Sequence, residues 1–354
     1  MRRSHFEALR PVCAVCRSEG VEAALGLAVV TREQGDHVLA GALACPSCGR
    51  EYPILDGIPI LVAEVRRFVA DSIDVILARD DLDPYVASLL GDALGPGAAY
   101  DVRRSHLSSY GWGHWGDQDP NPSGPGRPAG LLRALQAGLD EVGSLPSGPI
   151  LDAGCALGRS TFELARRFPD RLVLGIDASF SFLREAGRAL REGRVRYPLR
   201  RVGVVYDERA YDVDVDPARV DFWIADAQSL PLPTDTFSLV TSLNLIDCVS
   251  SPRAHLEATR DALVPGGSAV VATPFDWSPT ATSIESWIGG HSQRGPFGDP
   301  VRALDALLGV GGHPFAVPGL RRVGVGAEVP WSVRLHDRSV AEYTVQVTVA
   351  RRDG

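Results

Sequence analysis

The chain has 354 residues, 45% of them hydrophobic, with a formal charge of -8 and a pI near 5.5. That length allows two domains and a sizeable core, and the acidic balance argues against a protein whose affinity comes mainly from neutralising phosphates. No apolar signal-peptide core follows Met1-Arg2-Arg3-Ser4-His5, and the longest apolar stretch, Ile54 to Ala63, is broken by Asp56, Gly57 and Pro59, so a soluble, cytoplasmic protein without a membrane or nucleic-acid partner is expected.

Residues 1–63 read as a compact first unit. Four of the six cysteines fall in two Cys-x-x-Cys pairs, Cys13/Cys16 and Cys45/Cys48; without an export signal, this spacing points to metal ligation rather than to disulfides. Four thiolates make a closed set suited to structural Zn2+, with a redox dithiol as the rival reading. The 28 residues between Cys16 and Cys45 require a hairpin or small helix between the knuckles.

Residues 64–145 read as a helical and irregular linker that caps the substrate. Apolar residues recur at helical spacing from Val65 to Leu94, the Gly-, Pro-, Trp- and His-rich segment Gly95 to Arg127 predicts irregular chain, and Leu131 to Val142 predicts a helix ended by Gly143. From 146 to 354 the pattern alternates. Strands are expected at Pro149–Asp152, Leu172–Asp177, Asp221–Ala225, Phe237–Leu243 and Ser268–Thr273, and helices at Ser160–Phe168, Phe180–Glu192 and Pro252–Leu263. This is the signature of a doubly wound α/β sheet. The period-two runs Trp331–Leu335 and Glu342–Ala350 predict a closing antiparallel pair.

The strongest functional signal is Asp152-Ala-Gly154-Cys-Ala156-Leu-Gly158, at the first strand-to-helix turn. Small residues there let a ligand approach the backbone, and the acid can accept a hydrogen bond from a cationic amine. The spacing is not the Gly-x-Gly-x-x-Gly of a nicotinamide site. It resembles motif I of class I methyltransferases, with Ala156 in place of the usual middle glycine. Asp177 lies 25 residues beyond Asp152, at the end of the second strand, where an acid can bind ribose hydroxyls. Ala178 adjoins it. Asp226-Ala227 follows the third strand, placed for adenine, and Asn244-Leu-Ile246-Asp247 follows the fourth, at the mouth where donor and acceptor should meet. The resemblance implies S-adenosylmethionine as cofactor and a Rossmann-like, mostly parallel seven-stranded sheet. Ser160 and Asp235 read as cap and turn residues, and Cys155 as a small buried residue.

A narrower resemblance rests on Asp152 to Arg166, Gly175-Ile-Asp177, Gly193-Arg-Val-Arg-Tyr197, Asn244 to Asp247, Trp287-Ile-Gly-Gly290 and Ser339-Val-Ala-Glu342. These look like the methyltransferase of ovothiol biosynthesis, a family that methylates an imidazole nitrogen of a sulfanylhistidine. The resemblance implies a small imidazole or amino-acid-like acceptor. In that reading Tyr110, His114 and Asp247 orient the nucleophile or take its proton, and Phe275, Asp276, Trp277 and Trp287 line the pocket. Lid packing is an equal reading for Trp112, Trp115, Trp277 and Trp287. Gly49-Arg-Glu-Tyr52-Pro-Ile-Leu-Asp56-Gly-Ile-Pro59 resembles the Trm112-like methyltransferase activators, which implies a built-in activator or substrate-covering module. The competing functions are an rRNA guanine methyltransferase and a non-catalytic protein that senses the cofactor.

Overall fold

The computed structural model describes residues 1–78, 84–291 and 298–354. Residues 79–83, part of the stretch predicted to be helical from Val65 to Leu94, lie outside them. The N-terminal part comprises α1 (Arg3–Leu9), α2 (Ala14–Ser18), β1 (Gly26–Gln34), β2 (His37–Ala44), β3 (Glu51–Leu55) and β4 (Ile58–Leu61). The β1–β2 hairpin fills the gap between the cysteine pairs. The helices α3 (Val65–Asp71), α4 (Ile73–Ile76), α5 (Pro84–Leu94), α6 (Ala99–Trp115) and α7 (Gly130–Val142) follow.

The alternating region then runs β5 (Ile150–Ala153), α8 (Arg159–Arg167), β6 (Val173–Asp177), α9 (Phe180–Glu192), β7 (Arg194–Val202), β8 (Val205–Asp212) and β9 (Val220–Ala225). It continues with β10 (Phe237–Leu243), α10 (Pro252–Ala262), β11 (Leu263–Thr273), α11 (Pro300–Leu307), β12 (Leu320–His336) and β13 (Ser339–Arg352). Local chemistry sets these limits. Ser179 caps α9 by accepting from Phe182 N–H, and Gly193 ends it in the left-handed region at φ 63°. Ser251 caps α10, with Pro252 at its first turn. The buried face of α9, Phe180, Leu183, Ala186, Gly187 and Leu190, keeps the spacing of an amphipathic helix.

The sheet differs from the expected seven strands. Among the described residues eleven strands run in the order β1-β2-β3-β4-β9-β6-β5-β10-β11-β13-β12, and β7-β8 form a separate two-stranded ribbon. Five neighbouring pairs, from β4-β9 to β10-β11, are parallel, and the other five are antiparallel, so the sheet as a whole is not mostly parallel. The excess has one cause. Ile60 and Leu61 of β4 pair with Ile224 and Ala225 of β9, which adds the N-terminal strands to the edge of the α/β sheet. At the seam, buried Asp221 of β9 accepts from Arg2 N–H at 2.7 Å and lies 3.7 Å from the Met1 ammonium.

The segment Gly95–Arg127, expected to be irregular, contains the 17-residue helix α6. Gly111 is a packing contact rather than a break: a Cβ there would come within 2.4 Å of the Tyr197 ring on β7. Trp112 and Trp115 are buried in the core beneath it, and the Trp115 indole donates to Leu157 C=O at 3.1 Å. Burying one large apolar side chain is worth about 1.5–3 kcal/mol, so these rings fix α6 against the sheet. Among the described residues no helix is long and apolar enough to cross a membrane.

Candidate active site at the carboxyl ends of the parallel strands

A cavity of about 870 Å³ lies where β5, β6, β9 and β10 end, with α6 on one side and β12-β13 beyond. This is where open α/β sheets bind ligands. The turn after β5 is drawn tight by positive φ at Gly154 (72°), Ala156 (44°) and Gly158 (79°). Ala156 therefore adopts the left-handed conformation that usually calls for glycine. Its N–H donates to Asp177 Oδ2 at 3.0 Å, while Ser179 N–H donates to Oδ1 at 2.7 Å. Burial nonetheless pushes the Asp177 carboxyl up to about 6. Each of its oxygens retains acceptor capacity for a hydroxyl.

Asp177, Ala178, Asp226 and Ala227 form one half of the wall with Gly154 and Ala156, and Asn244 stands between this half and the next. Asn244 is held at φ 54°, and its buried Oδ1 has no partner. Three residues expected here sit elsewhere. Asp152 lies beneath the wall, its carboxylate accepting from Ser160 Oγ at 2.6 Å, Thr161 Oγ1 at 2.7 Å and Thr241 Oγ1 at 2.7 Å. It is 1% exposed and does not line the cavity, so a cationic amine there does not meet it. Gly158 is the N-cap residue of α8, and a Cβ there would come within 2.5 Å of Phe222, so helix–sheet packing dictates it. Ile246 is fully buried in the hydrophobic core.

The other half of the wall is built by Tyr110, His114, Asp247, Asp276, Trp331 and Tyr343. Tyr110 and His114 are four residues apart on α6 and so share a face, with ring centroids 6.2 Å apart. Burial, with Arg159 nearby, pulls the His114 imidazole down to about 3, so it is neutral, and its Nδ1 has no partner. Asp247 is buried, with Oδ1 unpartnered. Desolvation, aided by the nearby Asp276 charge, raises its carboxyl to about 6. The backbone C=O of Asp247 accepts from Ser278 N–H at 3.0 Å, which ties it to the loop that carries Asp276.

Phe275, Trp277 and Trp287 lie off the wall. Trp277 stacks on Trp287 at 5.9 Å with an 11° interplanar angle, Phe275 packs at 6.4 Å from Trp277, and the Trp287 indole donates to Thr282 C=O at 3.1 Å. These rings stiffen the loop after β11. Sequence reasoning passed over Trp331, Tyr343, Phe182 and Cys248, which do line the cavity. Trp331 and Tyr343 are cross-strand partners on β12-β13, and their place within two period-two runs was the signal available.

The four N-terminal cysteines converge: Cys13 Sγ lies 3.7 Å from Cys48 Sγ, Cys16 Sγ lies 3.8 Å from Cys45 Sγ, and all four lie within 4.8 Å of one another. A tetrahedron with metal–sulfur bonds of about 2.3 Å has edges of about 3.8 Å, so the set fits Zn2+. The thiols are free. Burial raises Cys13, but hydrogen bonds from Cys16 N–H and the Tyr52 hydroxyl outweigh it and bring the thiol down to about 7.

Residues 151–271 match the methyltransferase domain family. The likeness of this stretch is thus to a methyltransferase domain. The chain is 44% identical over 55 residues to a trans-aconitate 2-methyltransferase of Deinococcus radiodurans, covering 16% of this chain and 20% of that protein. It is 28% identical over 188 residues to the protein of the same name from Methylobacterium radiotolerans, covering 48% of this chain and 70% of that one. The chain thus spans only a fifth of the first relative. A chain from the complex between the Haloferax volcanii Trm112 methyltransferase activator and the putative methyltransferase aligns over 72% of this chain and 98% of its own, at 14% identity and a TM-score of 0.39.

Proposed function

We propose that the protein transfers a methyl group from S-adenosylmethionine to a nitrogen of a small imidazole or amino-acid-like acceptor. The carrying observation is the charge of the cavity. Its described lining holds six carboxylates (Glu64, Asp71, Asp177, Asp226, Asp247 and Asp276) and one guanidinium, Arg67, which itself lies 3.5 Å from Asp71. An acceptor with several carboxylates, such as trans-aconitate, or a phosphate-rich RNA would be repelled. A cationic nitrogen compound would be attracted and a neutral one admitted without repulsion.

The residues fit the cofactor. Asp177 can accept from ribose hydroxyls, Asp226 and Ala227 bound the adenine position, and the orphaned Asn244 Oδ1 suits a donor on the amino-acid part. When bound, the cofactor supplies an electrophilic methyl group on a sulfonium, which leaves as a neutral thioether. His114, neutral with a free ring nitrogen, hydrogen-bonds the acceptor, and Tyr110, Trp331 and Tyr343 exclude water around it. Asp247 takes the proton that the nitrogen loses after attack, a task that its raised pKa suits near neutrality. The cysteine cluster holds one structural zinc ion.

Release of S-adenosylhomocysteine by zinc-loaded protein, assayed over histidine, sulfanylhistidine, other imidazoles, trans-aconitate and an rRNA fragment, tests this. Turnover on an imidazole or amino acid is expected. Turnover on trans-aconitate or RNA alone would overturn the nitrogen-acceptor reading, and binding without turnover on any acceptor would leave a cofactor sensor.

A further inference from the structure

The cysteine unit does more than extend the sheet. Strand β4 runs parallel to β9 and ends at the same edge, with Leu61 opposite Ala225, so the chain leaves it beside Asp226 and Ala227. The next residues, Val62, Ala63 and Glu64, line the cavity, as do Arg67 and Phe68 of α3. So does Ala14, which lies within the Cys13–Cys16 knuckle and is itself buried. The knuckle is also tied to the loop after Ala227, because Val12 N–H donates to Pro231 C=O at 3.0 Å and Arg17 reaches Leu232 C=O. A residue of the cavity wall thus directly follows a cysteine of the metal cluster in the chain.

Building on the cofactor and zinc assignments above, we infer that the N-terminal unit is a constituent wall of the cofactor site. Ala14, Val62 and Phe68 close the adenosine end, so metal in the four-thiolate cluster and nucleoside in the cavity hold each other in place. The knuckle turn keeps its shape only while the thiolates converge, and the cofactor fills the space against which that turn rests. Such coupling is reciprocal: a ligand held more tightly with metal present must itself raise the affinity for the metal by the same factor.

The test measures the equilibrium partition of zinc between the full-length, zinc-loaded protein and a chromogenic chelator, with and without saturating S-adenosylhomocysteine, alongside calorimetric titration of that nucleoside. In the unmodified protein the nucleoside should shift the equilibrium partition of zinc between chelator and protein about tenfold toward the protein, within the usual range of coupling between sites. In Phe68→Ala the nucleoside should bind about tenfold more weakly and, even at saturation, protect zinc less. That second result separates a shared wall from general stabilisation by any ligand. A zinc partition indifferent to the nucleoside, or undiminished binding and protection in Phe68→Ala, would overturn the inference. The measurement on unmodified protein decides the coupling even if Phe68→Ala fails to fold. If the unmodified protein does not bind the nucleoside at all, the cofactor assignment fails as well; if it binds without coupling, only the inference does.

Discussion

Two buried aspartates end neighbouring strands of the sheet, and their surroundings assign them opposite work. Asp152, at the end of β5, accepts three hydroxyl hydrogen bonds at 2.6–2.7 Å and stands outside the lining of the ligand cavity. Asp247, just beyond β10, lines the cavity and has an oxygen without a partner. Burial raises both carboxyls, but Asp152 has its donors built in while Asp247 lacks one. A fully satisfied carboxylate organises a fold, whereas an unsatisfied one at a cavity wall is what a ligand completes. Sequence position alone marked Asp152 as the ligand-binding acid, and the hydroxyls of Ser160, Thr161 and Thr241 overrule that.

The comparison breaks if the two residues respond alike to mutation. Asp152→Ala strands three buried hydroxyls and should cost about 3–4 kcal/mol of stability, read by denaturant unfolding. Asp247→Asn should leave the fold intact and lower kcat about 100-fold, or about 2.7 kcal/mol of barrier, with the cofactor affinity unchanged. Its pH signature sharpens the contrast. The folded pKa, about 6, lies above the ordinary carboxylate value, so the native state holds the proton longer. This group's contribution to stability therefore falls as pH rises from about 4 to about 6. Catalysis needs the ionised form, so kcat at saturating cofactor should rise with pH through about 6 and level off. Asp247→Asn should abolish that limb. A smaller effect is expected at Asp177, where Asn should weaken S-adenosylhomocysteine by about tenfold in calorimetry, one charge-assisted hydrogen bond's worth.

The alternating strands and helices from 150 to 273 were legible because each carries its own period and cap: β10 matches its expected Phe237–Leu243 limits and α9 its Phe180–Glu192 limits. What was not legible depends on distant chain. Gly111 and Gly113 look like breakers until Tyr197 is seen packed against the first of them. The β7-β8 ribbon shows period-two burial at Val195, Tyr197 and Leu199, a signal present in the sequence but hidden by its arginines. Nothing local announces that β4 will pair with β9, since parallel pairing across more than 160 residues leaves no trace in either strand's composition. The motif glycines likewise located the cavity without revealing which acid faces it, because Thr241 reaches Asp152 from another strand.

His114 carries the smallest effect and the finest discrimination. Its imidazole is neutral throughout the working pH range, since burial and Arg159 bring it down to about 3. It therefore cannot contribute an inflection near neutrality, and a limb around pH 6 that Asp247→Asn abolishes belongs to the carboxyl. Its free Nδ1 can still make one neutral hydrogen bond to the acceptor, worth about 0.5–1.5 kcal/mol. His114→Ala should then raise the acceptor KM between about twofold and tenfold, leave the position of the pH limb unchanged and leave S-adenosylhomocysteine binding untouched. If instead the substitution removed the limb, the proton would pass through the imidazole, and the division of labour between Asp247 and α6 would have to be redrawn.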